Sequence, residues 1–392
     1  MDIAKEFFAC LALKHAEKIG PKTHKALLEA YDTAFEAVQD ARGWQGRKLA
    51  RADQVKLFLA ETWRPKAEFE YKAARIKKMN VLTWGDPRYP TKLRNIPDPP
   101  LALYYVGDLS LLKNPSLAVV GARKCSEYGL KLTRTISEQL SHMGLTIVSG
   151  LAMGIDREAH QGGLAGIGSS IAVVGAGLDH PYPIENMDVR RALENRGLVL
   201  SEFAAGVIPE PNNFPFRNRI ISGLSLGVLV AEAANKSGSL ITARLAGEQG
   251  REVFALPGPL GQPTFVGCHT LLKQGACLVE SSEDILRELA FAIDSEIELP
   301  SRAPLSKPKP GEPEPVELPQ PQAQPRSGPA LPQGLEPDEA TLFTCLKPVE
   351  RMHIDVLCRT LDWDSARVSQ TLLMLEIKGM IRQWPGMTYT HI

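Results

Sequence analysis

Between Leu117 and Leu289, short apolar runs alternate in strict succession with helix-length amphipathic stretches, and nothing else in the 392 residues restricts the fold as much. The runs Leu117–Gly121, Leu145–Ser149, Ser170–Gly175, Leu198–Ser201, Leu226–Ala231, Glu252–Leu256 and Cys277–Val279 are of strand length. Helical patterns fall between them at Tyr128–Met143, Gly154–Leu164, Met187–Asn195, Arg217–Ser222, Ser239–Gln249 and Cys268–Lys273. Strands this uniformly apolar need cover on both faces, so the pattern predicts a doubly wound, mostly parallel α/β sheet. Ligands in that plan sit beyond the carboxyl ends of the strands. The Gly, Ser and Arg clusters of this chain fall at those ends.

The first run ends in Gly121-Ala122-Arg123-Lys124-Cys125-Ser126. A dinucleotide-binding turn would need a second glycine where Arg123 stands and an acid closing the second strand, which instead ends in Ser149-Gly150. The motif therefore argues against a nicotinamide cofactor and for a fixed cation facing phosphate oxygens. After the second strand, Ser149-Gly150-Leu151-Ala152-Met153-Gly154-Ile155-Asp156 lets another backbone approach and offers N–H groups at a helix start. Asp156 and His160 could share a helical face, but with no third ligand nearby the preferred reading is a helix cap and a packed histidine. The turn-rich Gly175–Pro183 is either a lip of the site or a plain connection.

In Phe214-Pro215-Phe216-Arg217-Asn218-Arg219, two arginines at a helix start combine phosphate forks with aromatic faces. Phe214 is read as a base contact and Phe216 as a buried aromatic. Lys236-Ser237-Gly238-Ser239 places an ammonium, two hydroxyls and free N–H groups in one turn, a phosphate nest without the Walker spacing. Gly223-Leu224-Ser225-Leu226-Gly227 matches a hydrolase elbow in letters only, because that elbow joins a strand to a following helix and here the order is reversed.

Outside this core, Pro300–Pro337 is about one-third proline, a composition that neither ladders nor buries a core. The expected organisation is a helical domain over 1–78, a Rossmann-like core over 79–298, a linker over 299–337 and a compact tail over 338–392. The Ile19-Gly20-Pro21-Lys22 turn resembles half of a helix-hairpin-helix element, although plain helical packing of a SAM-like kind is the preferred reading. The tail suits three short helices and a hairpin turning at Pro385-Gly386, hence a winged helix. Its recognition helix, Asp364 to Lys378, offers only Arg367 and Lys378 against Asp364 and Glu376, so a protein-contact or structural role is preferred to DNA reading.

Charge gives no global field, since 45 basic residues balance 45 acidic ones, so any attraction for nucleic acid must be local. Six cysteines without C-x-x-C or metal spacing point to reduced thiols. The polar N-terminus and the lack of a long apolar stretch lead to the expectation of a soluble, cytoplasmic chain without a membrane span.

Taken together, Gly121-Ala122-Arg123, Ser149-Gly150-x-Ala152-x-Gly154-Ile155-Asp156, Phe214-Pro215-x-Arg217-Asn218-Arg219-Ile220-Ile221-Ser222, Ser237-Gly238-Ser239-Leu240-Ile241-Thr242 and Glu248-Gln249-Gly250-Arg251 resemble the DprA/Smf family. The resemblance covers about Asn80 to Leu286. It implies an extended Rossmann-like fold that binds single-stranded DNA in a basic pocket at its strand ends, forms dimers, and loads the RecA recombinase during natural transformation. Carried over, Arg123, Arg217, Arg219, Lys236 and the Ser237-Gly238-Ser239 turn become DNA contacts, and Lys124, Ser126, Gly154 and Phe214 complete the candidate set. One departure is Gly267-Cys268-His269, where the family pattern has Asn in place of His269. No catalytic residue, metal or cofactor is expected. The competing reading is an enzyme that hydrolyses nucleotides or phosphoribosyl groups in the same phosphate-binding pocket.

Overall fold

A computed structural model describes residues 2–296, 335–346, 352–361, 363–384 and 388–391. Residues 297–334, which hold most of the expected linker, and the Pro385-Gly386 turn lie outside the described residues. The chain divides into two compact units, Met1–Arg302 and Ala303–Ile392.

The first unit opens with helices α1 (Ile3–Lys14), α2 (Pro21–Ala30), α3 (Ala34–Gln39), α4 (Ala52–Leu59) and α5 (Arg64–Ile76). The expected hairpin turn is the start of α2, with Gly20 before it and Pro21 as its first residue, where a missing N–H costs nothing. The sheet is built from β1 (Asn80–Thr83), β2 (Ala102–Gly107), β3 (Ser116–Val120), β4 (Thr146–Ser149), β5 (Ser170–Val173), β6 (Leu198–Ser201), β7 (Gly227–Val230), β8 (Glu252–Ala255) and β9 (Cys277–Leu278). Its connections are α6 (Thr91–Arg94), α7 (Glu127–His142), α8 (Ile155–Gly163), α9 (Met187–Arg196), α10 (Asn213–Leu224), α11 (Gly238–Glu248) and α12 (Val266–Lys273), and α13 (Ser282–Glu296) follows β9.

The nine strands lie in the order β1-β2-β6-β5-β4-β3-β7-β8-β9. From β6 to β9 every pair is parallel, and the β1–β2 and β2–β6 pairs at one edge are antiparallel. The chain thus steps from β3 outward to β6, then returns to the other side of β3 for β7. That reversal opens a crevice at the carboxyl ends of the central strands.

Successive residues of a strand face opposite sides, and β3 divides accordingly. Leu117 and Val119 join Ile136, Leu140, Ile147 and Phe254 in one apolar cluster. Ala118 and Val120 join the other, which is shared with Phe7, Leu11, Trp44 and Phe58 of the N-terminal helices. Those helices therefore complete the core of the sheet's second face.

The second unit contains α14 (Pro337–Cys345), β10 (Met352–His353), α15 (Ile354–Leu361), α16 (Ser365–Ile377), β11 (Ile381–Trp384) and β12 (Thr388–His391). Three helices pack over a three-stranded sheet around Leu342, Leu357, Val368, Leu372 and Ile381, a winged helix. Asp364 caps the recognition helix α16, accepting from the Arg367 N–H. Both of its expected cations are engaged: Arg367 makes a two-pronged ion pair with Asp338, and Lys378 pairs with Glu339.

Candidate nucleic-acid interface

At the crevice the ends of β3 and β4 meet the first turns of α10 and α11 around a cavity of about 270 Å³. Gly121 and Arg123 come from the turn after β3, Ala152 from the β4–α8 connection, Asp156 from the first turn of α8, Phe214 and Arg217 from α10, and Ser237, Gly238 and Ser239 from the start of α11. A second space of about 20 Å³ adjoins it, behind Gly175, His180 and Tyr182. It has room for about one water. The Gly175–Pro183 segment is thus a lip of the site.

Each candidate residue has a distinct placement. Arg123 is exposed, and its guanidinium carbon lies 5.3 Å from the centre of the Phe214 ring. That ring, half-buried, also meets Tyr182 at 5.8 Å. Lys124 and Lys236 are exposed beside the cavity and do not line it. Ser237 caps α11 by accepting from the Ser239 N–H, so the hydroxyls and the free N–H groups of that turn lie together at the positive end of the helix.

Three candidates have structural duties. Ser126 caps α7, accepting from the Gly129 N–H and donating to the buried Glu232, whose carboxylate also takes the Ser126 backbone N–H. Arg217 lines the cavity but is buried, donating to the carbonyls of Gly150 and Val173 and to Asn218 Oδ1. Burial brings its guanidinium down to about 10, a loss that the neighbouring Asp156 carboxylate limits. Gly154 has φ +74°, and a Cβ there would sit 2.5 Å from the Ala122 carbonyl oxygen. Only glycine lets the two loops touch.

The structure does not bring Arg219 to this site. A helix turns about 100° per residue, so two residues after Arg217 the side chain leaves on the opposite face. There Arg219 is buried between Asp98 and Glu202, at 3.0 and 2.8 Å. Phe216, expected to be buried, is 45% exposed beneath it. α10 starts at Asn213, four residues before the helical pattern predicted, so Phe216 is carried on the helix and not in the chain leading into it.

Asp156 is not the cap of α8, which is Gly154. Its Oδ2 accepts from the Gly150 and Ala152 N–H groups and fixes the turn after β4. Burial raises its carboxyl, opposed by the Arg217 charge. His160 is packed, as expected, and has a defined tautomer. Ser170 Oγ already donates to the Ile147 carbonyl, so His160 Nδ1 must donate to Ser170, leaving Nε2 to accept from the Leu151 N–H. Burial first, then the Arg217 charge, lowers this imidazole to about 3. Leu151 itself has φ +59°, so His160 holds a strained residue of the loop in place.

Sequence reasoning missed Glu202 and Asp98, which hold Arg219, and assigned no role to Glu232. A carboxylate straight after the apolar run of β7 was a readable signal for the last; the first two depended on tertiary pairing. Ser225 of the elbow-like motif is buried and donates to Ile221 O between a helix and a following strand. His269 of α12 donates its Nε2–H to the Gly258 carbonyl in the connection after β8. Among the described residues no three His, Cys, Asp or Glu side chains gather as a metal site, and no helix is long and apolar enough to cross a membrane.

Comparison with known proteins agrees with this architecture. The family model for DNA recombination-mediator protein A matches residues 80–290, just over half of the chain, and the DprA winged helix domain matches residues 323–387. Protein Smf of Escherichia coli is 52% identical over 206 residues, which are 52% of this chain and 55% of that protein's length. The X-ray structure of DNA processing protein A from Streptococcus pneumoniae superposes with a TM-score of 0.61 at 37% identity, covering 72% of this chain and 97% of the other. DNA processing protein A from Helicobacter pylori, solved for its unique single-stranded DNA binding mode, superposes at 0.50 with 32% identity over 55% of this chain and 97% of its own. The doubly wound sheet, the glycine and arginine turns at its strand ends and the winged tail place this chain in the DNA recombination-mediator protein A family, DprA/Smf.

Proposed function

We propose that the chain binds single-stranded DNA at the strand-end cavity and passes it to the RecA recombinase, acting as a dimer and without catalysis. The observation that carries this reading is the exposed Arg123 lying over Phe214, opposite the Ser237-Gly238-Ser239 turn. A guanidinium and helix N–H groups suit phosphate oxygens, and an adjoining aromatic face suits an unstacked base. The Helicobacter pylori relative supports the choice of nucleic acid.

Lys124 and Lys236, exposed at the mouth, serve the flanking backbone. Arg217, Ser126 and Gly154 act by shaping the site, and Arg219 has no part in phosphate binding there. Nucleotide hydrolysis would require a carboxylate free to activate water. Asp156, the one acid lining the cavity among the described residues, is engaged by two backbone N–H groups.

The test is a mobility shift of single-stranded and duplex oligonucleotides of one sequence at two salt concentrations, with wild type and the Arg123→Ala plus Lys236→Ala double variant. Salt-sensitive, single-strand-preferring retention that the variant loses is the expected result. Retention unchanged in the variant would remove the cavity from the account. Absence of binding by the wild type would turn attention to release of free base from nucleoside monophosphates.

A further inference from the structure

The start of α10 carries a second pairing of phenylalanine with arginine that the strand-end cavity does not use. Phe214 and Phe216 are two residues apart, as are Arg217 and Arg219, so about 200° of helix separates the members of each couple. Phe214 and Arg217 serve the strand ends. On the opposite face the Arg219 guanidinium carbon lies 4.1 Å from the Phe216 ring centre, Phe203 meets the ring edge-on, and the ring stays 45% exposed. It borders a separate cavity of about 490 Å³, walled by the α1–α2 connection, the segment around Asp98 and the segment after β6. That volume lies in the range of small-molecule sites.

The charges of this cavity restrict its occupant. Arg219 is neutralised by Asp98 and Glu202, and Lys14 by Glu70, so no surplus positive charge remains for a phosphate. Glu202 holds the guanidinium with both oxygens, Oε1 accepting from Arg219 Nη2 and the buried Oε2 lying 2.8 Å from Nη1. An exposed aromatic face in a cavity without surplus positive charge suits a planar, uncharged group.

We propose that this cavity is a second base subsite, in which a nucleobase of the bound strand stacks on Phe216. The inference rests on the single-strand reading above. A strand crossing the N-terminal end of α10 carries nearby bases to its two faces, one to Phe214 and one to Phe216.

The experiment compares the full chain with its Phe216→Ala and Phe216→Trp variants, binding an oligothymidylate and an abasic strand of equal length over a range of salt. Phe216→Ala is expected to weaken oligothymidylate binding about ten-fold, the usual effect of removing one stacking platform. Its abasic-strand affinity and its salt slope should stay at wild-type values, and Phe216→Trp should restore the loss. Wild-type affinity in Phe216→Ala, or an equal loss on both strands, overturns the subsite while leaving the strand-end reading intact. If the wild type binds neither strand, both readings fall.

Discussion

Arg123 and Arg217 flank one cavity, yet their surroundings assign them different work. Arg123 is exposed and can meet a ligand, whereas Arg217 is buried among carbonyls beside Asp156. Arg123→Ala should therefore leave the urea midpoint unchanged while lowering single-strand affinity. Arg217→Met should lower stability by about 3 kcal/mol, because it strands a buried carboxylate and leaves two carbonyls unpaired. His160 adds a pH signature. Its folded pKa, lowered to about 3, lies below the ordinary 6.5, so the unfolded chain binds the extra proton first as the solution is acidified. Stability conferred by this group is complete above pH 6.5 and declines as the pH falls toward 3. A urea midpoint measured at steps from pH 7 to 5 should fall in the wild type and stay flatter in His160→Gln, which starts from a lower value. The sequence displayed the arginines of Phe216-Arg217-Asn218-Arg219 but not their faces, because which of them enters the crevice is settled by the tertiary packing of α10.

At the level of elements, the parallel strands were legible because each is a short apolar run closed by a turn, and β6 begins and ends where the pattern placed it. The antiparallel edge was not. Asn80–Thr83 mixes polar with apolar residues, Ala102–Gly107 stands outside the alternation of strands and helices, and their pairing with each other and with β6 is a tertiary choice. α13 was missed as well; its first turn carries Glu283 and Asp284, and no apolar run follows to mark a further unit. The candidate site was legible as a set of strand-end turns, and the inside-or-outside placement of its side chains was not. Gly154 shows how closely those turns fit. Gly154→Ala should cost about 1–3 kcal/mol for the backbone conformation alone and displace the Arg123 carbonyl, 2.6 Å from the added Cβ. Reduced affinity together with a lower urea midpoint would check it; an unchanged midpoint would contradict the contact.

For the molecule as a whole, zero net charge means that attraction for a polyanion depends on the few cations at the cavity mouth. With Arg123, Lys124 and Lys236 each releasing one counterion, the logarithm of affinity should fall against the logarithm of salt with a slope of about −2. A slope several times steeper would mean that other basic surfaces take part. The winged unit has its own apolar cluster and commits Arg367 and Lys378 to α14, so ending the chain after residue 298 should leave single-strand affinity within about two-fold. Glu70 of α5 joins more than one part of the first unit: it receives Lys14, His15 and the hydroxyl of Tyr104 on β2, each at 2.7 Å. Although burial opposes its ionisation, these partners hold the carboxyl down at about 2, so the clamp stays charged through the physiological range. Its consequence is mechanical. A load applied at the N-terminus is transmitted to the antiparallel edge of the sheet through this carboxylate and the apolar core the helices share with β1 and β2, so the leading helices should yield in a single rip with β1 and β2 rather than peel away at low force.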